Sequence, residues 1–420
     1  MQGIALAVHD SPRALPTLST EVPMNEFQKC LPAGLIAATL LSACGGNNDS
    51  FLPEPVPDPV ARVDLLMSNE RGMKSVTVDD KHAYVALTNT ETEGTSILAT
   101  ARGVSAKSSW QNVALGECRL PASTQVEVRR AADLKQVGGK TLMMQPAWGS
   151  ADEHTLCELD QAKMSFVPKD KDFRICYETY CERMHVGDVK AVGKRWFANG
   201  GAGQNVQVSD NQGLNWRPLM GTMDSMSCTH QSFEVVGGRL LTGGECPLDM
   251  AYVRAYTMNA DLSALASKVP EALVVPELEN RNVHLITTLG KNERVFVGVE
   301  GGLLRSDDSG KSYKFVLKHP IEGPNYPYIT HLLSPAGKPN VIVAAGFDKA
   351  KALPYLVWSN DNGDKWTDLS TLLPGYKRTN PDADSQVTSI AEDAQGRILV
   401  TVNEEFKKKG RLVEVKLGRL

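Results

Sequence analysis

The sequence predicts an all-β fold, a seven-bladed β-propeller with six blades as the alternative count, on three observations. An eight-residue box recurs: SDNQGLNW at 209–216, SDDSGKSY at 306–313 and SNDNGDKW at 359–366, all of the form Ser-x-(Asp/Asn)-x-Gly-x-x-(Trp/Tyr). The opening serines stand 97 and 53 residues apart, close to two units and one unit of a repeat of about 50 residues, the length of a propeller blade. A short β-rich stretch also recurs about once per unit, and no segment after the amino-terminal region shows a comparably strong helical period.

The recurrent stretches are HAYVALT (82–88), TLMMQPA (141–147), RWFANG (195–200), RLLTGG (239–244), RVFVGV (294–299), NVIVAAG (340–346) and RILVTV (397–402). Each is assigned to the second strand of a blade, with the third strand leading into the box where one is present, as GLLRS does before DDSG. Blade five reads whole as HLITTL, RVFVGV, GLLRS, box and YKFVLK. Blade one has a box remnant ending at Trp110, and blades two, four and seven lack a clear copy. The last blade has only VTSIAED, RILVTV and RLVEVKL, so its outermost strand is expected from ARVDLLM (61–67), which would hide an open edge.

Within each box the residue types suit a tight turn between strands three and four. A short acceptor side chain (Asn211, Asp308 or Asp361) bonds unpaired backbone N–H groups, Gly213, Gly310 or Gly363 supplies φ > 0, and Trp216, Tyr313 or Trp366 packs beneath. With Ser209, Ser306 and Ser359 these residues form a brace. A calcium loop would need more oxygen ligands at alternating positions and a terminal acid, which SNDNGDKW lacks. The boxes resemble the Asp-box, or bacterial neuraminidase repeat, shared by sialidases, some other glycoside hydrolases, sortilin-type receptors and photosystem II assembly factors. The resemblance implies the propeller architecture over most of residues 63–420.

Ahead of the repeats, MNEFQKCLPAGLIAATLLSACGG from Met24 has Lys29 in a short polar region, an apolar run to Leu41, and then Leu-Ser-Ala-Cys44. The run is too short to span a bilayer and ends in small residues. It resembles a bacterial lipoprotein signal peptide, which implies cleavage before Cys44 and acylation of that residue, several chains giving stable anchoring. Residues 1–23 play no part in the signal and are read as preceding the true start; 24–43 are the signal peptide, 44–60 a lipidated, Pro-rich tether, and 61–420 the propeller. Under the lipoprotein sorting rule, Gly45 in place of Asp implies the outer membrane, with the body periplasmic or surface-exposed.

A formal net charge of −4 with no long basic stripe gives no electrostatic footprint for nucleic acid. Six cysteines remain after Cys30 and Cys44, an even number that in an exported chain suggests disulfides. The blade frame pairs Cys118 with Cys157, Cys176 with Cys181 and Cys228 with Cys246.

In a propeller, function usually occupies the face opposite the strand three-to-four turns, around the channel mouth. Counting back six to eight residues from the Gly before strand two places His185, His230, His284 and His331 at matching positions in four consecutive blades. Either they form a polar arc for a metal or an anionic ligand, or each bonds a neighbouring blade's backbone. No cofactor is otherwise expected. FRIC (173–176) is similar to the FRIP motif of sialidases, with Cys176 in place of Pro and Tyr177, Glu178 and Tyr180 nearby. The sequence therefore reads as an outer-membrane lipoprotein whose propeller binds a protein or glycan on the face opposite the boxes. The alternatives are a sialidase-like or other glycoside hydrolase, and a metal-binding propeller using the histidine arc.

Replacement Cys44→Ala is expected to abolish palmitate labelling and release the protein from the membrane fraction. Fractionation with metabolic labelling checks this, and continued sedimentation of labelled protein with membranes contradicts the signal assignment.

Overall fold

The computed structural model describes residues 61–90, 93–119, 132–145, 154–169, 173–176, 181–183, 186–200, 206–220, 229–246, 250–279, 281–290, 294–320, 326–377, 384–404 and 409–418. The lipidation site Cys44 and the rest of residues 1–60 lie outside them. Strand β1 is Arg62–Asn69. Blade one holds β2 (Met73–Val78), β3 (His82–Leu87), β4 (Ser96–Ala101) and β5 (Gln111–Asn112). Blade two holds β6 (Asp133–Val137), β7 (Lys140–Met144), β8 (Leu156–Asp160) and β9 (Ser165–Pro168), and is followed by a separate hairpin, β10 (Arg174–Cys176) and β11 (Cys181–Arg183). Blade three is β12 (Val186–Val192), β13 (Arg195–Gly200), β14 (Val206–Ser209) and β15 (Arg217–Pro218). Blade four has three strands, β16 (Thr229–Val236), β17 (Arg239–Cys246) and β18 (Met250–Thr257). Blade five is β19 (Val283–Leu289), β20 (Arg294–Val299), β21 (Gly302–Ser306) and β22 (Lys314–Lys318). Blade six is β23 (Pro327–Leu333), β24 (Ile342–Asp348), β25 (Leu353–Ser359) and β26 (Thr367–Asp368), and blade seven begins with β27 (Gln386–Glu392), β28 (Ile398–Glu404) and β29 (Lys409–Lys416).

Every one of the seven predicted second-strand stretches lies second in its blade, and the count is seven. The closing strand is also where the sequence places it. β1 pairs antiparallel with β29 from Arg62↔Lys416 to Asn69↔Gly410, so the first described strand is the outer strand of the last blade. Leu66 then joins a buried cluster with Met73, Val76, Leu399 and Leu412, which spans blades seven and one. Asn403 Oδ1 accepts the Met73 N–H at 2.7 Å and Thr388 Oγ1 donates to the Met73 carbonyl at 2.7 Å, so the same junction is tied at the innermost strands.

Six innermost strands carry one extra residue against their partner: Lys74, Gly187, Gln231, His284, Thr330 and Thr388. β6 pairs without one. A bulge bends a strand and reverses which way later side chains point. After two of these bulges the next residue bonds the following blade: Ser232 Oγ accepts the Ile286 N–H at 2.7 Å, and Ser75 Oγ accepts the Leu134 N–H at 2.8 Å.

The box turns show the hydrogen bonds of a brace. Ser209, Ser306 and Ser359 each accept the Gly N–H four residues on, at 2.7–2.8 Å, and each donates to Asn211, Asp308 or Asp361. Those acceptors in turn take the N–H of Asn215, Ser312 and Lys365. Gly310 has φ +85°, and a Cβ there would stand 2.8 Å from the Tyr313 hydroxyl. Blade four has a turn of this kind that its sequence hides. Asn259 Oδ1 accepts the Ser263 N–H at 2.8 Å, and Leu262 has φ 58°, matching Gln212, Ser309 and Asn362 at 57°, 58° and 65°. With Ser for Gly and Asn for Ser, the box pattern does not find it.

These turns also join blades. Lys169 of blade two donates to the Gln212 carbonyl at 2.8 Å and Arg305 of blade five to the Asn362 carbonyl at 2.7 Å. Arg239 reaches the Ser309 carbonyl in the same manner, and Arg195 reaches the Asp261 carbonyl, one residue ahead of the φ > 0 Leu262. Four successive junctions, from blade two to blade six, therefore set a cation of one blade on a carbonyl of the next blade's turn. The box aromatics pack across the same seams: Trp366 Nε1 donates to the Val316 carbonyl of blade five at 3.0 Å, and Phe173 stands edge-on to Trp216 at 5.3 Å.

Cys118 and Cys157 form the expected disulfide, with Cys157 inside the third strand β8. Cys176 and Cys181 face each other in the backbone register of the β10–β11 hairpin. Cys246 is disulfide-bonded, while Cys228 lies outside the described residues.

Deleting residues 62–69 exposes the β29 edge and opens the Leu66 cluster. The melting temperature is expected to fall by about 10 °C, from a loss of about 5 kcal/mol at about 2 °C per kcal/mol for a domain of this size. Calorimetry of the truncated chain checks it, and an unchanged midpoint contradicts the closure.

Candidate functional site

Glu300 and Gly301 form the turn at one end of β21, and the box beginning at Ser306 lies at the other end, so this turn belongs to the opposite face. Its backbone is fixed from both sides. Glu300 bridges Tyr328 of blade six, and the Gly301 N–H donates to the Pro327 carbonyl at 2.7 Å. Arg281, 1% exposed, donates through Nη1 to the Gly301 carbonyl at 2.9 Å and through Nη2 to the His319 carbonyl at 2.9 Å. A Cβ on Gly301 would stand 2.6 Å from Arg281 Nη1, so only glycine leaves room for that guanidinium.

On this scaffold sits a contiguous aromatic patch. The His284 and Tyr328 rings meet edge to face at 5.3 Å, Tyr326 and Tyr328 at 5.5 Å, and Phe347 lies 6.3 Å from Tyr328, its register partner. Tyr326, Tyr328, His284 and Phe347 are all half-buried, so their rings reach solvent. Glu300 lies beneath them, 7% exposed: Oε2 accepts the Tyr326 hydroxyl at 2.7 Å and Oε1 lies 3.6 Å from His284 Nε2. Burial opposes ionisation of Glu300, but the nearby His284 ring and the Tyr326 hydroxyl outweigh it and hold the carboxyl below its ordinary value. Burial and the bond to Glu300 push the Tyr326 phenol up, so that hydroxyl stays a donor. Lys349, exposed in the turn after β24, sets Nζ 5.6 Å from the Tyr328 ring centre.

The channel wall carries a second polar system. Lys74 lies 3.3 Å from Asp133, Lys135 2.5 Å from Asp188 and Lys190 2.9 Å from Glu234, each lysine reaching a carboxylate of the following blade. Glu234 also accepts the Val235 and Thr288 N–H groups, and Lys190 donates to the Ile286 carbonyl, so this pair is fully bonded. A cavity of about 560 Å³ opens at the box end of the channel, lined by Lys135, Lys190, Glu234, Gly238 and Thr288 among others.

The four histidines do not share one position, which corrects the expectation from spacing. His284 is itself the bulge residue, His230 precedes the bulge by one and His331 follows it by one. The turns after β16, β19 and β23 differ in length, so counting back from Gly slides the register, and one residue moves a side chain to the other face. His284 belongs to the aromatic patch. His331 sits in the channel wall with Nδ1 2.8 Å from Thr330 Oγ1, and lies near Lys74 and Asp133. His185 lies outside the described residues, as does the side chain of His230. Among the described residues no group of three or more His, Cys, Asp or Glu side chains is placed to hold a metal. Of FRIC, Phe173 is core and Arg174 to Cys176 form β10; Tyr177, Glu178 and Tyr180 lie outside the described residues. Sequence reasoning missed Glu300, Tyr326 and Tyr328, which come from different blades and share no motif.

No protein-family model and no curated protein sequence matches this chain. Among solved structures it is similar to YCF48 from Cyanidioschyzon merolae, at 11% identity over 84% of this chain and 98% of that one, with a TM-score of 0.50. It is similar also to the extracellular domain of BT4673 from B. thetaiotaomicron, at 9% identity over 82% of this chain and 40% of that one, again with a TM-score of 0.50. At such identities the likeness is one of fold: the chain is a seven-bladed β-propeller.

His331 gives this fold a pH signature. Withdrawal from water and the nearby Lys74 charge lower its imidazole from 6.5 to about 4. The folded chain keeps the ring neutral where the unfolded chain would protonate it. Stability is thus full above 6.5 and is lost as pH falls from 6.5 through about 4. In His331→Asn that loss is expected to shrink, read by denaturant titration at pH 7 and pH 4.5; equal slopes in the two proteins contradict it.

Proposed function

We propose that this chain is a lipid-anchored protein of the bacterial outer membrane, periplasmic or surface-exposed, whose propeller binds a protein or glycan ligand on the face opposite the boxes. The anchoring half rests on the Leu-Ser-Ala-Cys44 sequence. The binding half rests on one observation: a solvent-reaching patch of Tyr326, Tyr328, Phe347 and His284 on a backbone pinned by Arg281. Aromatic side chains on a rigid support give a large contact area at low entropic cost, which suits recognition. Hydrolysis by paired carboxylates asks for two such groups across a cleft. Here Glu300, the carboxylate of the patch, has Tyr326 and His284 on its two oxygens, and the Tyr326 hydroxyl is held protonated. These features favour binding over catalysis.

Affinity capture from envelope fractions tests the reading. Wild type is expected to recover a ligand that Tyr326→Ala/Tyr328→Ala loses at least tenfold, an order of magnitude that corresponds to about 1.4 kcal/mol, while Leu214→Ala on the box face retains it. Equal recovery by the double variant, with its melting temperature preserved, defeats the proposal.

A further inference from the structure

We infer that the aromatic patch is a site for a primary ammonium group, the side chain of a lysine on a protein partner, and that Lys349 occupies it as a built-in competitor. This rests on the proposed use of the same face and adds the chemistry of the ligand.

The chain itself displays the contact. Lys349 Nζ, a primary ammonium, lies over the Tyr328 ring at 5.6 Å. Two features give the patch a field that favours cations. Ring faces carry the negative lobe of the aromatic quadrupole, and Tyr326, Tyr328 and Phe347 are grouped here. Beneath them Glu300 is ionised, with its charge partly shielded by Tyr326 and His284 but acting on Lys349.

The cation that the chain itself seats there narrows the class: Lys349 Nζ is a primary ammonium with three N–H donors, whereas a trimethylated ammonium is bulkier and has none. The location narrows the source. Among the described residues the rings are half-buried rather than buried and Lys349 beside them is exposed, which suits contact with a side chain projecting from another protein. Lys349 is exposed and its backbone N–H is held at 3.3 Å by the Tyr326 carbonyl. Rotation of its side chain alone would vacate the ring without disturbing the turn.

The test uses the full-length chain and three probes: Nα-acetyl-lysine methylamide, its neutral norleucine analogue, and its trimethyllysine analogue, each followed by saturation-transfer NMR. The lysine probe is expected to bind wild type saturably and Lys349→Ala about fivefold more tightly, because the internal cation no longer competes. Lys349→Arg should keep the weaker wild-type affinity, and Glu300→Gln in the Lys349→Ala background should weaken binding again. Absence of saturable lysine binding by both wild type and Lys349→Ala overturns the inference. So does equal binding of the norleucine or the trimethyllysine probe. If envelope capture still depends on Tyr326 and Tyr328 while the lysine probe fails on Lys349→Ala, the ammonium chemistry falls and the binding face stands; if capture is also independent of both tyrosines, the two fall together.

Discussion

Ring closure is the constraint on which the rest of this molecule depends. A propeller blade buries its two faces only against neighbours, so an unclosed ring would leave two apolar faces and a strand edge in water. Here β1 crosses from the front of the chain to the outer edge of the last blade, pairing along its length with β29. Leu66 enters a cluster with residues of blades seven and one. The innermost strand of blade one meets blade seven at the same junction, Met73 bonding Thr388 of β27 and Asn403 of β28. Closure therefore acts at both radii of the ring, and the positions of the patch and channel follow from it.

Once closed, the ring is held by polar stitches as well as by packing. On the box face, cations of one blade meet the turn carbonyls of the next, as Lys169 meets Gln212 and Arg305 meets Asn362. In the channel, Lys74, Lys135 and Lys190 each reach a carboxylate of the following blade. Partly buried charges are costly unless every partner is supplied, and the Lys190–Glu234 pair shows how the sheet supplies them, through Ile286, Val235 and Thr288 backbone groups. The boxes thus have a second role as acceptors for the neighbour's cation: in three turns the carbonyl is that of the φ > 0 residue, Gln212, Ser309 or Asn362, and in blade four it is that of Asp261, just before Leu262. The turn geometry persists in blade four at Asn259–Ser263, where the glycine is gone.

The opposite face is built differently. There the turn between strands two and three of blade five is pinned by a buried guanidinium, Arg281, which bonds carbonyls from two separate segments. A pinned turn lets rings from two blades remain half-exposed at fixed separation, which is the requirement for a recognition surface. Two box aromatics, Tyr313 and Trp216, are each 7% exposed and the third, Trp366, is half-buried, as are Tyr326 and Tyr328 on the opposite face.

The sequence by itself pointed to seven blades with six as the alternative, and determined the second strand of every blade, the closing strand and the Cys118–Cys157 bridge. These follow from local signals: period-two apolar stretches, turn residues with obligatory backbone angles, and spacing along one chain. Only the tertiary structure decided the side-chain directions on the innermost strands. A single bulge at Gln231, His284 or Thr330 reverses them, and no residue pattern marks where it falls, so histidines that look equivalent by counting from glycine separate into different surroundings. The patch was hidden for a related reason. Glu300, His284, Tyr326 and Tyr328 come from two blades and meet only because one blade's turn bridges the next blade's first strand, a contact made by ring geometry between segments that carry no shared motif.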